Sequence, residues 1–171
     1  MLGELPGAEL PALAALVRSC VGRHVGRSTA ARSETPFPKS TDLELALLPT
    51  FLDAGFVHHQ RLAHPQTGEG FEFDFWRARD GVAVEIMGYR ADDEVYKDVL
   101  KFHVHDGTRV GMVWVPRWKW VGGRRTETNY RAAMKARAFA DRSLAVAALL
   151  AVVYDWDDAG PDRWALRLGA P

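Results

Sequence analysis

Phe71-Glu72-Phe73-Asp74-Phe75-Trp76-Arg77-Ala78-Arg79-Asp80-Gly81-Val82-Ala83-Val84-Glu85-Ile86-Met87 carries the strongest structural signal in the chain. Phe71, Phe73 and Phe75 alternate with Glu72, Asp74 and Trp76, and Val82, Val84 and Ile86 alternate with Ala83, Glu85 and Met87, the period of a β-strand. Ala78 to Gly81 lies between the two runs, so they read as a hairpin with the phenylalanines on one face. A four-residue loop closes Arg77 against Val82 and sets Phe75 opposite Val84, Phe73 opposite Ile86 and Asp74 opposite Glu85. A two-residue loop keeps the faces and leaves the acids diagonal, whereas a three-residue loop throws them onto opposite faces; the apolar pattern selects the first two. Directly opposed residues hold their Cβ atoms about 5 Å apart, so two carboxylates there repel unless a proton or cation intervenes. Mg²⁺, with Mn²⁺ as its substitute, answers that repulsion and brings water and phosphate oxygens with it. The competing reading is a solvated sheet face, or pairing of the acids with Arg77 and Arg79.

On either side of the hairpin the chain alternates helices and strands. Leu43, Leu47, Leu48, Phe51 and Leu52 mark a helix that ends at Gly55, with Thr41-x-x-Glu44 as its capping box and Pro49 as a kink. Phe56 to Gln60 is a possible strand. A polar-faced helix over about 93–103 comes after the hairpin, and Val110 to Val115, apolar on both faces, suits a central strand. A basic helix over about 129–141 precedes Ala147 to Tyr154, which periodicity leaves as strand or buried helix, and an edge strand is expected at Trp164 to Leu168. On the amino-terminal side, Leu10, Leu13, Val17, Cys20 and Val21 predict a helix, joined through a flexible linker at Gly22 to Lys39. The expected fold class is α/β, a central mixed sheet of four to five strands flanked by helices. Residues 1–171 form a single domain: a peripheral helix and linker (1–40), a core (41–116), and a basic loop, helix and closing strands (117–171).

The totals fit one domain. The chain has 171 residues and 19.0 kDa, with 47% hydrophobic and 26% charged residues, an ordinary globular composition. The apolar run Ala145 to Tyr154 is short of a bilayer span, so no membrane partner is expected. The first residues lack a signal-peptide layout, and the single cysteine, Cys20, makes no intramolecular disulfide; a cytoplasmic location is the expectation. Net charge is +0, yet Arg117 to Arg142 holds eight basic residues against Glu127 and Asp141. Local cationic character of this kind suits a polyanion.

Asp74, then Glu85-Ile86-Met87 on the next strand, with Glu44 on the helix before and Tyr96-x-x-Val99-Leu100-Lys101-Phe102 on the helix after, resembles the PD-(D/E)XK nuclease superfamily. Within it the layout is most similar to the Bam/Bgl branch of type II restriction endonucleases, down to an apolar strand ending in proline, here Val113-Trp114-Val115-Pro116. The resemblance implies a restriction-endonuclease-like core and a metal-dependent DNA endonuclease. Asp74 and Glu85 would bind Mg²⁺, Glu44 would touch the metal or its water, and cutting both strands would suit a homodimer. Met87 stands where the superfamily usually carries lysine and can neither ligate Mg²⁺ well nor handle a proton. Lys101, ahead of Lys97, is the candidate to supply the missing cation.

Arg117-Trp118-Lys119-Trp120-Val121-Gly122-Gly123-Arg124-Arg125 interleaves tryptophans with cations, and Arg117, Trp118, Lys119, Arg124 and Arg125 are candidate DNA contacts in a loop. The bland alternative packs the tryptophans on a neighbouring element. Glu44 is already explained by its capping box, and Glu72 reads as a rim charge. His58-His59 and His103-x-His105 complete no four-ligand metal set by spacing and read as solvent-facing or capping, with His103 or His105 a distant choice of general base. No organic-cofactor motif is present; Gly122-Gly123 does not open a Walker-type loop. Two functional readings result: the endonuclease, and a catalytically inactive module of the same scaffold that binds nucleic acid or a protein partner.

Overall fold

The structure, a computed structural model, describes residues 9–20, 24–27, 40–64, 66–87, 94–121, 124–127, 131, 132, 134, 135, 138, 148–158 and 163–168. It is α/β, with a central mixed sheet flanked by helices. In chain order the elements are α1 (Glu9–Cys20), β1 (His24–Arg27), α2 (Ser40–Asp53), β2 (Val57–Ala63), β3 (Gly70–Arg77), β4 (Val82–Ile86), α3 (Glu94–Val104), β5 (Val110–Pro116), β6 (Lys119–Val121), β7 (Arg124–Thr126), β8 (Ala148–Asp158) and β9 (Arg163–Leu168). The sheet order is β1-β9-β8-β5-β4-β3-β2. β4, β5 and β8 are mutually parallel, and the remaining neighbours are antiparallel. The expected core strands β2 to β5 and β8 are thus extended by β9 and β1.

The hairpin adopts the register of the four-residue loop: Arg77 pairs with Val82, Trp76 with Ala83 and Phe75 with Val84. Gly81 makes the turn at φ +66°, and its carbonyl accepts the amides of Arg109 and Val110, which ties the loop to the start of β5. Two apolar layers then cover the sheet. On one face α1 and α2 bring Leu13, Val17, Leu43, Leu47 and Phe51 onto Phe75, Val82, Val84, Ile86, Met112 and Trp114. On the other, Val95, Val99 and Phe102, at helical spacing along α3, cover Phe73, Trp76, Ala83, Met87, Val113 and Val115. β5 is buried along its whole length, as expected of a strand covered on both sides.

Several expectations change. The amino-terminal helix is not peripheral: Leu13, Val17 and Cys20 are buried in the α2-side core. The stretch read as a linker contributes β1, which pairs with β9, so Trp164 to Leu168 is not the sheet edge. Ala148 to Tyr154 resolves as strand, within β8, because it lies parallel to β5 with a continuous ladder from Val110↔Ala148 to Pro116↔Tyr154; Ala147 lies outside the described residues. The basic segment is helical at Arg131, Ala132, Met134, Lys135 and Ala138; the rest of that expected helix lies outside the described residues. Where a loop is expected, residues 119–121 (β6) and 124–126 (β7) pair as two short antiparallel strands. Among the described residues, no helix is long and apolar enough to cross a membrane.

The phenylalanines of β3 do not share one face. Phe75 belongs to the α2-side core, whereas Phe71 and Phe73 pack with the α3 side, so the strand exchanges its faces at Asp74. The neighbouring strand is irregular at the same level. Pairing of β2 with β3 runs His58↔Phe75 and then Gln60↔Phe73, passing over His59 and Asp74, and His59 has the left-handed φ of +52°. One residue turned that way rotates the local peptide out of the ladder and reorients the residues after it.

Candidate active site

Asp74 sits where the sheet opens. On its β4 side the ladder ends at Phe75↔Val84, and the Asp74 carboxylate takes over: Oδ2 accepts the backbone N–H of Ile86 at 2.6 Å. Glu85, the residue before, faces α3 with Ala83 and Met87 and is 4% exposed. Its Oε1 accepts Lys101 Nζ at 2.9 Å, and the same ammonium reaches Asp98 Oδ1 at 3.1 Å. Lys101 and Asp98 are one turn apart on α3, and burial of Val95, Val99 and Phe102 turns that edge of the helix toward β4. Two carboxylates, a third acid and a lysine therefore converge at the carboxyl end of β4.

Their protonation is set by that crowding. Burial pushes the Asp74 carboxyl up to about 6, against the hydrogen bond from Ile86; the charges of Glu44 and Asp98 add to the rise and Lys101 opposes it. Glu85 is raised well above the usual carboxylate range, first by burial and then by the charges of Asp98 and Asp74. Burial alone would lower Lys101, but Glu85 and Asp98 more than reverse it, so the ammonium is held firmly protonated. Negative charge is costly here, and a cation relieves it.

Asp74 also feels the α2 face. Glu44, buried on α2, places Oε1 against Nε2 of both His58 and His59. The capping-box explanation of Glu44 does not hold, because α2 begins at Ser40, which takes Thr41 inside the helix, and the carboxylate faces β2. Adjacent residues of a regular strand point to opposite faces, so two neighbouring imidazoles reach one oxygen only because His59 is left-handed. Glu72 is more than a rim charge: its Oε1 meets His59 Nδ1 at 3.0 Å and its Oε2 meets Arg61 Nε at 3.1 Å. The hydrogen bond to Glu44 raises the His59 imidazole above its ordinary value; burial opposes the rise, and the charges of Glu44 and Glu72 add to it.

The structure brings Asp74, Glu85 and Lys101 together and sets Glu44 among histidines. Lys97 lies on α3 one turn before Lys101, and of the two it is Lys101 that reaches Glu85. Arg77 and Arg79 turn to Asp80, at 2.7 and 3.9 Å, and Arg77 also lies over the Phe56 ring, so neither guanidinium serves the acid pair. Met87 is buried in the α3-side core, and its carbonyl accepts the Tyr154 hydroxyl at 2.8 Å. His105 meets the edges of Phe73 and Trp76 and the Thr108 hydroxyl, and burial lowers its pKa.

Of the cationic segment, Arg117 pairs with Glu127 at 3.2 Å and lies over the Trp118 ring, while Trp118 Nε1 donates to Asp155 at 3.2 Å. Arg124 is exposed on β7; the side chains of Lys119 and Arg125 lie outside the described residues. The β6–β7 arm comes after the end of β5, whose Trp114 pairs with Ile86, so it leaves the sheet at the end where the acids gather. The sequence reading passes over Asp98, one turn from Lys101 on α3, and misses the His58, His59 and Glu72 group, whose partners come from separate elements. Compared with known proteins, the chain matches no family model, no curated protein and no solved structure.

Proposed function

We propose that the protein is a divalent-metal-dependent nuclease that hydrolyses phosphodiester bonds of DNA, with Asp74 and Glu85 as the metal-binding acids. The observation that carries this reading is a pair of buried carboxylates, both raised in pKa, at the opening between β3 and β4. Asp74 commits Oδ2 to Ile86 and Glu85 commits Oε1 to Lys101, which leaves each acid a second oxygen; this hard-oxygen donor set fits Mg²⁺ or Mn²⁺. When bound, such an ion supplies charge stabilisation at the phosphoryl oxygens and a more acidic water. The order helix, three antiparallel strands, helix, parallel strand supports the resemblance to the PD-(D/E)XK superfamily.

Within that frame each residue has a task. Ile86 N–H fixes the Asp74 carboxylate so that it needs no reorganisation on loading. Lys101, its side chain 31% exposed and flexible, leaves Glu85 when a cation takes its place and offers its charge to the phosphate as negative charge develops. Asp98 keeps that ammonium protonated and near the site. Arg124 and the β6–β7 arm would grip the DNA backbone, and a homodimer would present two such sites to a duplex.

One observation favours a second reading. Lys101 already neutralises Glu85, and with Met87 turned into the core the scaffold is complete without metal, as an inactive nucleic-acid-binding module requires. Incubation of supercoiled plasmid with Mg²⁺ or Mn²⁺ separates the two. The nuclease reading predicts nicking that Asp74→Asn and Glu85→Gln each reduce at least about 100-fold. Nicking unchanged in both variants removes the acid pair from the chemistry, and DNA binding in EDTA without nicking at any metal concentration favours the module.

A further inference from the structure

We infer that Glu44, His58 and His59 form a second metal site, separate from the acid pair and selective for a transition dication of the Zn²⁺ or Co²⁺ class. Among the described residues, their ligand atoms lie within 4.8 Å of one another. One carboxylate and two imidazoles are the three-ligand set of open zinc sites, in which a water takes the remaining position. Burial matches that design: the Glu44 side chain is 10% exposed, His58 26% and His59 51%, so the anionic ligand is anchored inside while the imidazoles open to solvent.

Two further features point the same way. His59 Nδ1 is held by Glu72, the carboxylate–histidine arrangement that fixes an imidazole's tautomer and leaves Nε2 for a metal. The left-handed φ of +52° at His59 is what brings adjacent rings, 4.0 Å apart between centroids, onto one carboxylate. A non-glycine residue held there stores strain, and strain of this sort collects where a geometry is used. Nitrogen ligands distinguish this group from Asp74 and Glu85: imidazole suits Zn²⁺ and Co²⁺, whereas carboxylate oxygens suit Mg²⁺ and Mn²⁺. The second site holds its ion whether or not the chain cuts DNA.

Titration of the tag-free full chain with Co²⁺, monitored by visible absorption and calorimetry, tests it. The expected result is one Co²⁺ per chain with nitrogen-ligand absorption bands, displaced by Zn²⁺ and retained in the Asp74→Asn/Glu85→Gln double variant. His59→Asn, which tolerates the left-handed backbone, and His58→Gln should each weaken binding roughly 100-fold or more, since even outer partners of a metal site cost 10–100-fold. Glu72→Gln should weaken it by about tenfold. Thermal unfolding in EDTA checks that the variants fold. Full-strength binding in folded His59→Asn and His58→Gln overturns the site; loss of Co²⁺ in the Asp74/Glu85 double variant assigns the ion to the acid pair and overturns it equally.

Discussion

Asp74 is the residue on which fold and chemistry meet. Its carboxyl is raised from 3.8 to about 6, so the folded protein binds this proton more tightly than the unfolded chain does. The associated stability is fully present below pH 4 and is lost as pH rises through 6, a penalty of up to about 3 kcal/mol at neutral pH. Asp74→Asn keeps an acceptor for Ile86 N–H and removes the titration. Urea unfolding should therefore show the variant more stable at pH 7.5, by about 1–3 kcal/mol, and no more stable at pH 4. Equal stability at both values would mean that the carboxylate is not desolvated. At His59 the strain has its own signature: His59→Val should destabilise by about 1–2 kcal/mol, because a β-branched residue resists positive φ, while His59→Asn stays within about 0.5 kcal/mol. These features are half legible in the sequence. Alternation predicts Asp74 opposite Glu85 and Phe73 opposite Ile86, whereas the ladder ends at Phe75↔Val84, and no local pattern announces a left-handed histidine.

Among the elements, two contacts set the site. The Phe102 ring lies so close under β5 that a Cβ at Gly111 would stand 2.3 Å from it, and α3 therefore rests directly on the sheet. That close approach holds Lys101 against Glu85. Gly111→Ala should cost about 1–3 kcal/mol in urea unfolding by forcing α3 outward, and nicking activity should fall further than stability explains. The second contact is the loop of the β3–β4 hairpin, where a Cβ at Gly81 would meet the Gly107 carbonyl at 2.4 Å. β4 and α3 are readable because alternation and helical spacing separate their faces, and β5 because a short apolar run suits a strand covered on both sides. β1 escapes notice because its four residues, Gly26 among them, carry no alternation, and β8 is ambiguous because a run apolar on both sides fits either period. The Glu44 and histidine group is hidden for a different reason: its members are close only after α2 has packed onto β2.

For the whole molecule, a net charge of +0 conceals a division of labour. Internal partners occupy Arg117 and Trp118, so these two side chains brace the base of the β6–β7 arm, while Arg124 is exposed and is the residue to which the nuclease proposal gives a phosphate contact. Arg124→Glu should weaken binding of duplex DNA in EDTA and reduce the slope of log K against log salt by about one, without changing metal affinity. An unchanged slope would take the arm out of the interface. Fold class is legible from the hairpin and the strands around it. The Glu44, His58 and His59 group is not, since it depends on which atoms converge in space. Crystals grown with Mn²⁺ and measured for anomalous scattering give the sharpest test of metal binding at the acid pair. The expected result is a peak between the Asp74 and Glu85 carboxylates with Lys101 Nζ withdrawn from Glu85; Lys101 still on Glu85, with no Mn²⁺ beside either acid, would contradict it.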